Sequence, residues 1–156
     1  MNAPASAPRT FPPLAGGCQC GRVRSALNVE APRNAHACHC RMCQRAVGGA
    51  FALLAGCPKP DFSWTRGEPA FFASSNLATR GFCRDCGTPL SFAYDDPKAH
   101  IYVTIGSLDE PARASIVRQY GIESKLAWVR FCEETPQERT GASDPGFFAG
   151  MKIRQG

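Results

Sequence analysis

Short runs of apolar or alternating residues recur along the middle of the chain. The runs are RVRSAL (22–27), AFALLAG (50–56), AFFASS (70–75), LSFAY (90–94) and IYVTIGSL (101–108). Each lies between turn-forming residues, mainly Gly, Pro, Asn or Asp, a pattern typical of β-strands. A last strand is predicted at KLAWVRFC (125–132), and only PARASIVRQYG (111–121) could hold a short helix. The chain is therefore predicted to be mainly β.

The two ends of the chain differ in composition from the middle. Residues 1–13 are rich in Ala and Pro and show no periodicity, so they are predicted to form a flexible N-terminal arm. Residues 136–156 are rich in polar and turn-forming residues and are predicted to form a C-terminal tail. A length of 156 residues with 44% hydrophobic residues suits one core, so residues 14–135 are predicted to be a single domain.

The charge and cysteine content narrow the classes of function. The chain has 18 Lys and Arg against 13 Asp and Glu, a net charge of +5, and the basic residues are scattered, so no nucleic-acid partner is expected. No apolar stretch suits a signal peptide or a membrane span, so we expect a cytoplasmic protein with no membrane partner. In that reducing setting, nine cysteines in clusters favour metal binding over disulfides, and zinc is the first candidate. The oligomeric state is left open.

Two cysteine pairs have the spacing of a structural zinc site. Cys18 and Cys20 in GGCQCG would share one face of an extended segment, and Cys83 and Cys86 in FCRDCG have the two-residue gap of a zinc knuckle. The following Gly87 permits the positive φ of a tight turn. Together the pairs supply the four thiolates that closed structural zinc sites use. The alternative is that all four are reduced core cysteines.

The segment CHCRMC (38–43) holds three more cysteines but no fourth. Cys38 and Cys40 share a face, His39 points away from it, and Cys43 returns after a two-residue turn. Catalytic zinc keeps three protein ligands and leaves the fourth position for water or substrate, so this segment predicts an open site that suits a thiol substrate. The alternative is a closed site completed by His36, His39 or Cys57.

Five segments in the same order resemble the glutathione-dependent formaldehyde-activating enzyme family, also called the CENP-V-like family. They are GGCQCGRVR (16–24), CHCRMCQRAVGGAF (38–51), SSNLATRGFCRDCGTPLSF (74–92), IYVTIGSLDEP (101–111) and KLAWV (125–129). The resemblance implies a zinc-bearing β-tent of the Mss4-like kind. It also implies two zinc ions, a structural one on Cys18, Cys20, Cys83 and Cys86, and a second one on the catalytic-site ligands Cys38, Cys40 and Cys43. The second zinc is expected to be labile, because its site lacks a fourth protein ligand.

The resemblance further implies an activity. The family's named reaction condenses formaldehyde with the co-substrate glutathione to S-hydroxymethylglutathione, formally a carbon–sulfur lyase reaction, so the partners would be a small-molecule thiol and an aldehyde. Three arginines near the cysteine motifs could meet glutathione carboxylates: Arg41, Arg45 and Arg80. Family members often carry a histidine shortly before the Lys-x-x-Trp segment, whereas this chain has Gln119 and Tyr120 there, in a region expected to shape the pocket.

The remaining candidates have simpler interpretations. Cys57 and Cys132 lie outside the paired spacings and are predicted to be structural, and His100 is predicted to be a surface residue. Four phenylalanines near the second cysteine pair are predicted to be core residues, of which one or two could line the pocket: Phe71, Phe72, Phe82 and Phe92. Two other functions stay open, a zinc-stabilised binding module without catalysis and a thiol redox enzyme that uses Cys57 or Cys132.

Overall fold

The structure is a computed structural model that describes residues 11–130 and Ala149. Most of the predicted N-terminal arm, nearly all of the predicted tail, the boundary at residue 135 and Cys132 lie outside the described residues, so the predictions made for them are not tested. None of the described helices is long and apolar enough to cross a membrane.

Short strands dominate the described part of the chain, as the sequence predicts. Ten strands and one α-helix follow in the order β1 Leu14–Gly17, β2 Arg24–Leu27, β3 Arg33–Cys38, α1 Arg41–Val47, β4 Ala52–Pro58, β5 Phe62–Arg66, β6 Ala70–Ala73, β7 Ala78–Phe82, β8 Pro89–Tyr94, β9 His100–Thr104 and β10 Arg118–Tyr120. The prediction of a mainly β single domain is confirmed, and all five runs that opened the sequence analysis contain or overlap a strand.

The strands form two sheets. A three-stranded sheet has the order β1-β2-β5, and a seven-stranded sheet has the order β10-β3-β4-β9-β8-β7-β6. Neighbouring strands are antiparallel except β10, which joins β3 in parallel. Alternation gives the large sheet two different faces, so Ala55 and Cys57 of β4 are fully buried on one of them while Leu54 and Gly56 belong to the other.

The main core lies on the face that carries Ala55 and Cys57. It joins the two sheets through a cluster of small and aliphatic side chains: Leu14, Leu27, Ala35, Ala55, Cys57, Val103, Ile105, Leu108 and Ala114. Small residues on β3 and β4 let the second sheet approach closely. The opposite face of the large sheet, which carries Leu54 and Gly56, does not belong to the main core.

Two predictions of local structure are wrong. Residues 111–121 do not form an α-helix, because Pro111–Arg113 is a single 3-10 turn and Val117 donates its N–H to Ala35 O at 2.8 Å, which leads the chain into β10. Residues 125–130 form turns instead of a strand, with Val129 donating to Leu126 O. β10 already covers the free side of β3, so the later segment has no position beside that strand.

The aromatic residues near the second cysteine pair only partly match their predictions. Phe71 and Phe72 are 60% and 62% exposed, because β6 is the edge strand and has a neighbour on one side only. Phe82 and Phe92 are half-buried. His100 is also half-buried, and its Nε2 has no hydrogen-bond partner among the described residues, so its prediction as a simple surface residue is wrong.

Candidate metal centres and substrate cavity

Cys18, Cys20, Cys83 and Cys86 meet in one cluster although 63 residues separate its two halves. All four sulfur atoms lie within 4.8 Å of one another. The Cys18 and Cys20 sulfurs are 3.4 Å apart, and those of Cys20 and Cys83 are 3.7 Å apart. Tetrahedral zinc with bonds of about 2.3 Å to each sulfur requires separations of about 3.8 Å, so these four residues fit the ion.

The two cysteine pairs reach the cluster on similar tight turns. The extended segment predicted for Cys18 and Cys20 is wrong, because the two residues lie on a turn. In this turn Gly21 donates its N–H to Cys18 O, and Val23 donates its N–H to the Cys18 sulfur at 3.2 Å. The second turn matches its prediction, with φ of 75° at Gly87. Backbone N–H groups aimed at sulfur favour the thiolate form that a metal needs.

The surroundings of this cluster also suit thiolates held by a cation. Cys18 and Cys83 are buried beside Val23 and Leu90. Burial opposes ionisation of Cys86, but hydrogen bonds with the side chain and backbone of Thr88 outweigh it and lower the pKa of Cys86 to about 6. Several thiolates crowded into an apolar setting repel one another, and a divalent cation removes that repulsion.

Cys38, Cys40 and Cys43 form a second cluster, whose sulfurs also lie within 4.8 Å of one another. Cys38 ends β3, and its sulfur is 3.5 Å from that of Cys40. Cys40 caps α1 by accepting a hydrogen bond from the Cys43 N–H at 3.4 Å, so the predicted two-residue turn is the first turn of a helix. Three thiols converge on one point and fit three corners of a zinc site.

None of the residues weighed as a fourth ligand belongs to this cluster in the described part of the chain. His39 is 1% exposed and points away, with Nε2 paired with Gln119 Oε1 at 2.9 Å. His36 pairs its Nδ1 with Asn34 O at 2.7 Å. Cys57 lies on the core face of the sheet. The closed-site alternative therefore receives no support from this geometry.

Of the three candidate arginines, Arg80 is the one that contacts a thiol of this cluster. Its Nη2 donates to the Cys43 sulfur at 3.3 Å, and its Nε donates to Ser74 Oγ at 3.0 Å. The pKa of Cys43 is lowered to about 5, chiefly by the hydrogen bond from Cys38 and further by Arg80. Burial alone would raise this pKa. Arg41 and Arg45 are exposed, and Arg41 donates to Gln44 Oε1.

Cys57, the described candidate for a thiol redox enzyme, does not have the properties of a reactive cysteine. Cys57 is fully buried, and burial raises the pKa of its thiol to about 11. A nucleophilic or redox-active cysteine needs access and a lowered pKa.

A cavity of about 350 Å³ opens beside the three thiols. Its lining carries one charged side chain and five aromatic rings: Asn34, His36, Cys38, Cys40, Met42, Cys43, Leu54, Arg80, Phe92, Tyr94, Tyr102 and Tyr120. Phe92 thus lines the pocket, as predicted for one or two of the four phenylalanines. A second cavity of about 280 Å³ shares Leu54 and Arg80 with the first. The three thiols therefore face a space large enough for a small organic molecule.

Residues 13–122 match the model of the family described as glutathione-dependent formaldehyde-activating enzyme. The chain belongs to this family. A Schizosaccharomyces pombe protein described as an uncharacterized lyase is 32% identical over 93 residues, which are 60% of this chain. The chain spans 66% of the length of that relative.

A crystal structure of a Rhodobacter sphaeroides protein has a similar fold. The TM-score is 0.56 at 23% sequence identity, over 68% of this chain and 99% of that one. Identity at this level shows the fold alone. The family assignment of this chain therefore rests on its sequence.

In this member of the glutathione-dependent formaldehyde-activating enzyme family, β10 and the turn after it pack against the three-thiol motif on the side away from the cavity. His39 makes two contacts with β10, the Nε2 pairing with Gln119 and a hydrogen bond from the His39 N–H to Tyr120 O at 2.8 Å. Gln44 donates from its side chain to Ser124 O at 3.1 Å. No motif or spacing in the sequence points to Gln44 or Gly121, because the partner of each lies about 80 residues away along the chain.

Gly121 is where this segment touches the motif most closely. Its φ is +63°, and a Cβ there would lie 2.6 Å from the backbone N of Cys40. We expect Gly121→Ala to lower the free energy of unfolding by about 2–4 kcal/mol, from backbone strain plus a clash that only movement of the motif can relieve. Urea unfolding measures the loss, and the zinc content of the purified protein should fall with it.

Gly48→Ala is the matched control for that substitution. Gly48 has the same φ of +63° but no atom within 4 Å of the added Cβ, so it carries the strain without the clash. We expect a loss of about 1 kcal/mol at Gly48. Equal losses at the two positions would contradict the idea that the segment after β10 presses on Cys40.

Proposed function

We propose that this protein is a zinc-dependent carbon–sulfur lyase that makes or breaks a thiol–aldehyde adduct. The observation that carries the proposal is the cluster of Cys38, Cys40 and Cys43, which supplies three ligands and faces a cavity at its open side. Family membership and the lyase description of the yeast relative support the same class of reaction. The family's pair, glutathione and formaldehyde giving S-hydroxymethylglutathione, is the first pair to test.

Zinc held by the three thiolates would supply a Lewis acid with one position for a substrate sulfur. In the forward direction the substrate thiol loses its proton, its sulfur forms a bond to the aldehyde carbon, and the carbonyl electron pair moves to oxygen, which takes up a proton. The product is a hemithioacetal, and the reverse sequence breaks the same carbon–sulfur bond. Negative charge therefore sits first on sulfur and then on oxygen.

Arg80 is the residue best placed to respond to that charge. It lies 3.3 Å from the Cys43 sulfur, and Ser74 and the ring of Phe92 fix its direction, with the guanidinium carbon 4.8 Å from the ring centre. A positive charge held in place beside a reacting centre stabilises developing negative charge without reorganising. We propose that Arg80 stabilises the oxygen anion, that the partners are small molecules, and that the protein works in the cytoplasm.

The test follows exchange between free formaldehyde and its glutathione adduct by NMR. The adduct also forms spontaneously, so the zinc-loaded protein is compared with buffer and with metal-stripped protein at the same concentration. We expect the zinc-loaded protein alone to exceed the buffer rate. A rate equal to buffer with glutathione and with other small thiols would remove the lyase assignment.

The two thiol clusters should release zinc at different rates. Four thiolates close the first site, whereas the second lacks a fourth protein ligand, so a mild chelator should remove about one zinc per chain quickly and the other slowly. Metal content measured over time should show two phases. Release of two zinc ions in a single phase would contradict the assignment of one closed and one open site.

A further inference from the structure

Five aromatic rings form a continuous wall of the cavity beside the three thiols. From one end to the other they are Tyr120, His36, Tyr102, Phe92 and Tyr94. Successive ring centres are 4.8, 5.3, 6.3 and 5.0 Å apart, and three of the four contacts are edge-to-face. Such contacts hold each ring in one orientation. The wall is thus a packed aromatic surface within the same cavity as the thiols.

The register of the large sheet produces this wall. Directly opposed residues of neighbouring strands share a face, and Phe92, Tyr102 and Gly56 are opposed in turn across β8, β9 and β4. A Cβ on Gly56 would lie 3.0 Å from Cε1 of Tyr102, so the glycine gives that ring its place. His36 opposes Leu54 on the same face, which continues the surface toward Cys38.

The charges of the cavity do not match glutathione. Arg80 is the one Arg, Lys, Asp or Glu side chain in its lining as far as the described residues show, and the proposed function already assigns its charge to the oxygen anion. Glutathione carries two carboxylates and an ammonium group, which need charged or strongly polar partners once they leave water. The Asn34 amide also has a partner, because its Nδ2 donates to the Tyr120 hydroxyl.

We propose that the thiol taken by this site carries an aromatic group that lies against the ring wall. The inference rests on the proposed lyase function and names the class of thiol for it: a small arylalkyl thiol in place of a charged peptide. The sulfur would occupy the open side of the three-thiol cluster, and the ring would stack on or meet the edges of Tyr102 and Phe92. The reaction itself is unchanged.

The test compares three thiols on the zinc-loaded protein without chelator or oxygen: benzyl mercaptan, glutathione and 2-mercaptoethanol, which has the thiol but no ring. Calorimetry measures binding, and NMR exchange with formaldehyde measures the reaction. We expect benzyl mercaptan to bind about tenfold more tightly than glutathione, the scale of one or two good ring contacts. 2-Mercaptoethanol reports the affinity of the sulfur alone.

Two wall variants and one control locate the effect. Tyr102→Leu, and Tyr94→Leu at the 50% exposed rim, should weaken benzyl mercaptan about three- to tenfold and change 2-mercaptoethanol less than about twofold. Tyr94→Leu tests the same contact if Tyr102→Leu fails to fold. Phe71→Leu is the matched control, because this exposed ring lies on the opposite face of the same sheet and should change neither affinity.

The outcomes separate this inference from the proposed function. Tighter binding of glutathione, equal weakening of all three thiols by the wall variants, or no thiol binding would overturn the ring-wall proposal. Acceleration that is greatest with glutathione would leave the lyase in place and remove the aromatic thiol. Binding of benzyl mercaptan as expected, without exchange above buffer, would support the ligand class and remove the lyase.

Discussion

Cys83→Ser should leave the protein unfolded at room temperature. Cys83 is fully buried and belongs to the cluster that joins the turn after β1 to the turn after β7. Structural zinc contributes folding free energy on the order of 10 kcal/mol in small zinc domains, which is comparable to the whole stability of a domain this size. Circular dichroism and urea unfolding measure the outcome, together with zinc content.

The matched control is Cys57→Ser, which also places a hydroxyl where a buried thiol was. Cys57 is fully buried in the main core, belongs to neither thiol cluster, and its sulfur donates to Pro58 O at 3.4 Å. We expect a loss of about 1–3 kcal/mol and a folded protein with its zinc retained. If Cys83→Ser lowered the free energy of unfolding by no more than Cys57→Ser does, the four-thiol cluster would have no structural role.

Cys40→Ser should separate fold from reaction. The four-thiol cluster is untouched, and serine is a preferred N-cap residue that can accept the hydrogen bond now made by the Cys40 sulfur, so α1 should persist. Loss of one of three thiolates should weaken the second metal site and abolish formaldehyde exchange above the buffer rate. We expect the free energy of unfolding to fall by no more than about 2 kcal/mol.

The exchange assay uses whichever thiol is most active with the parent protein. Cys57→Ser is again the control, because it removes a cysteine that lies on the other face of the sheet and should keep the parent rate once folded. If Cys40→Ser keeps the full rate, the second cluster is not catalytic. The zinc-stabilised binding module would then be the better account of this protein.

The thiol clusters could be predicted from sequence because the chemistry of each half is local. Two cysteines separated by one or two residues can meet a common metal whether the backbone is extended or turned, so the grouping of Cys18 and Cys20 does not depend on which conformation is present. The extended conformation predicted for that pair was nevertheless wrong. The Gly21 and Val23 hydrogen bonds that fold it into a turn have no periodic signature.

Elements whose partners are distant in sequence were the ones that pattern reasoning missed. β3 has the sequence RNAHAC, in which apolar and polar residues alternate only weakly. Its core-facing residues are small alanines, against which the second sheet packs closely. β10 is three residues long and is a strand only because β3 offers it a partner. The apolar residues of KLAWV suggest a strand, but tertiary context overrides the propensity of a segment, and the side of β3 is already taken by β10.

The ring wall was beyond sequence reasoning for a different reason. Which aromatic residues face the same side depends on register, and the pairing of β3 with β4 contains an irregularity between Arg33 and His36. One inserted residue moves every later side chain to the other face. Phe92 could be placed near the pocket by its neighbours in sequence, and Tyr120 by the family resemblance, whereas Tyr102 could not.

The parallel pairing of β10 with β3 has a consequence for synthesis on the ribosome. The three thiols that end β3 and begin α1 are all present once residue 43 has been made, whereas the four-thiol set is complete only at residue 86 and the covering strand at residue 120. At about 5–20 residues per second, several seconds pass between these stages. The nascent chain thus completes its three-thiol set first, its four-thiol set second, and the strand that covers His39 last.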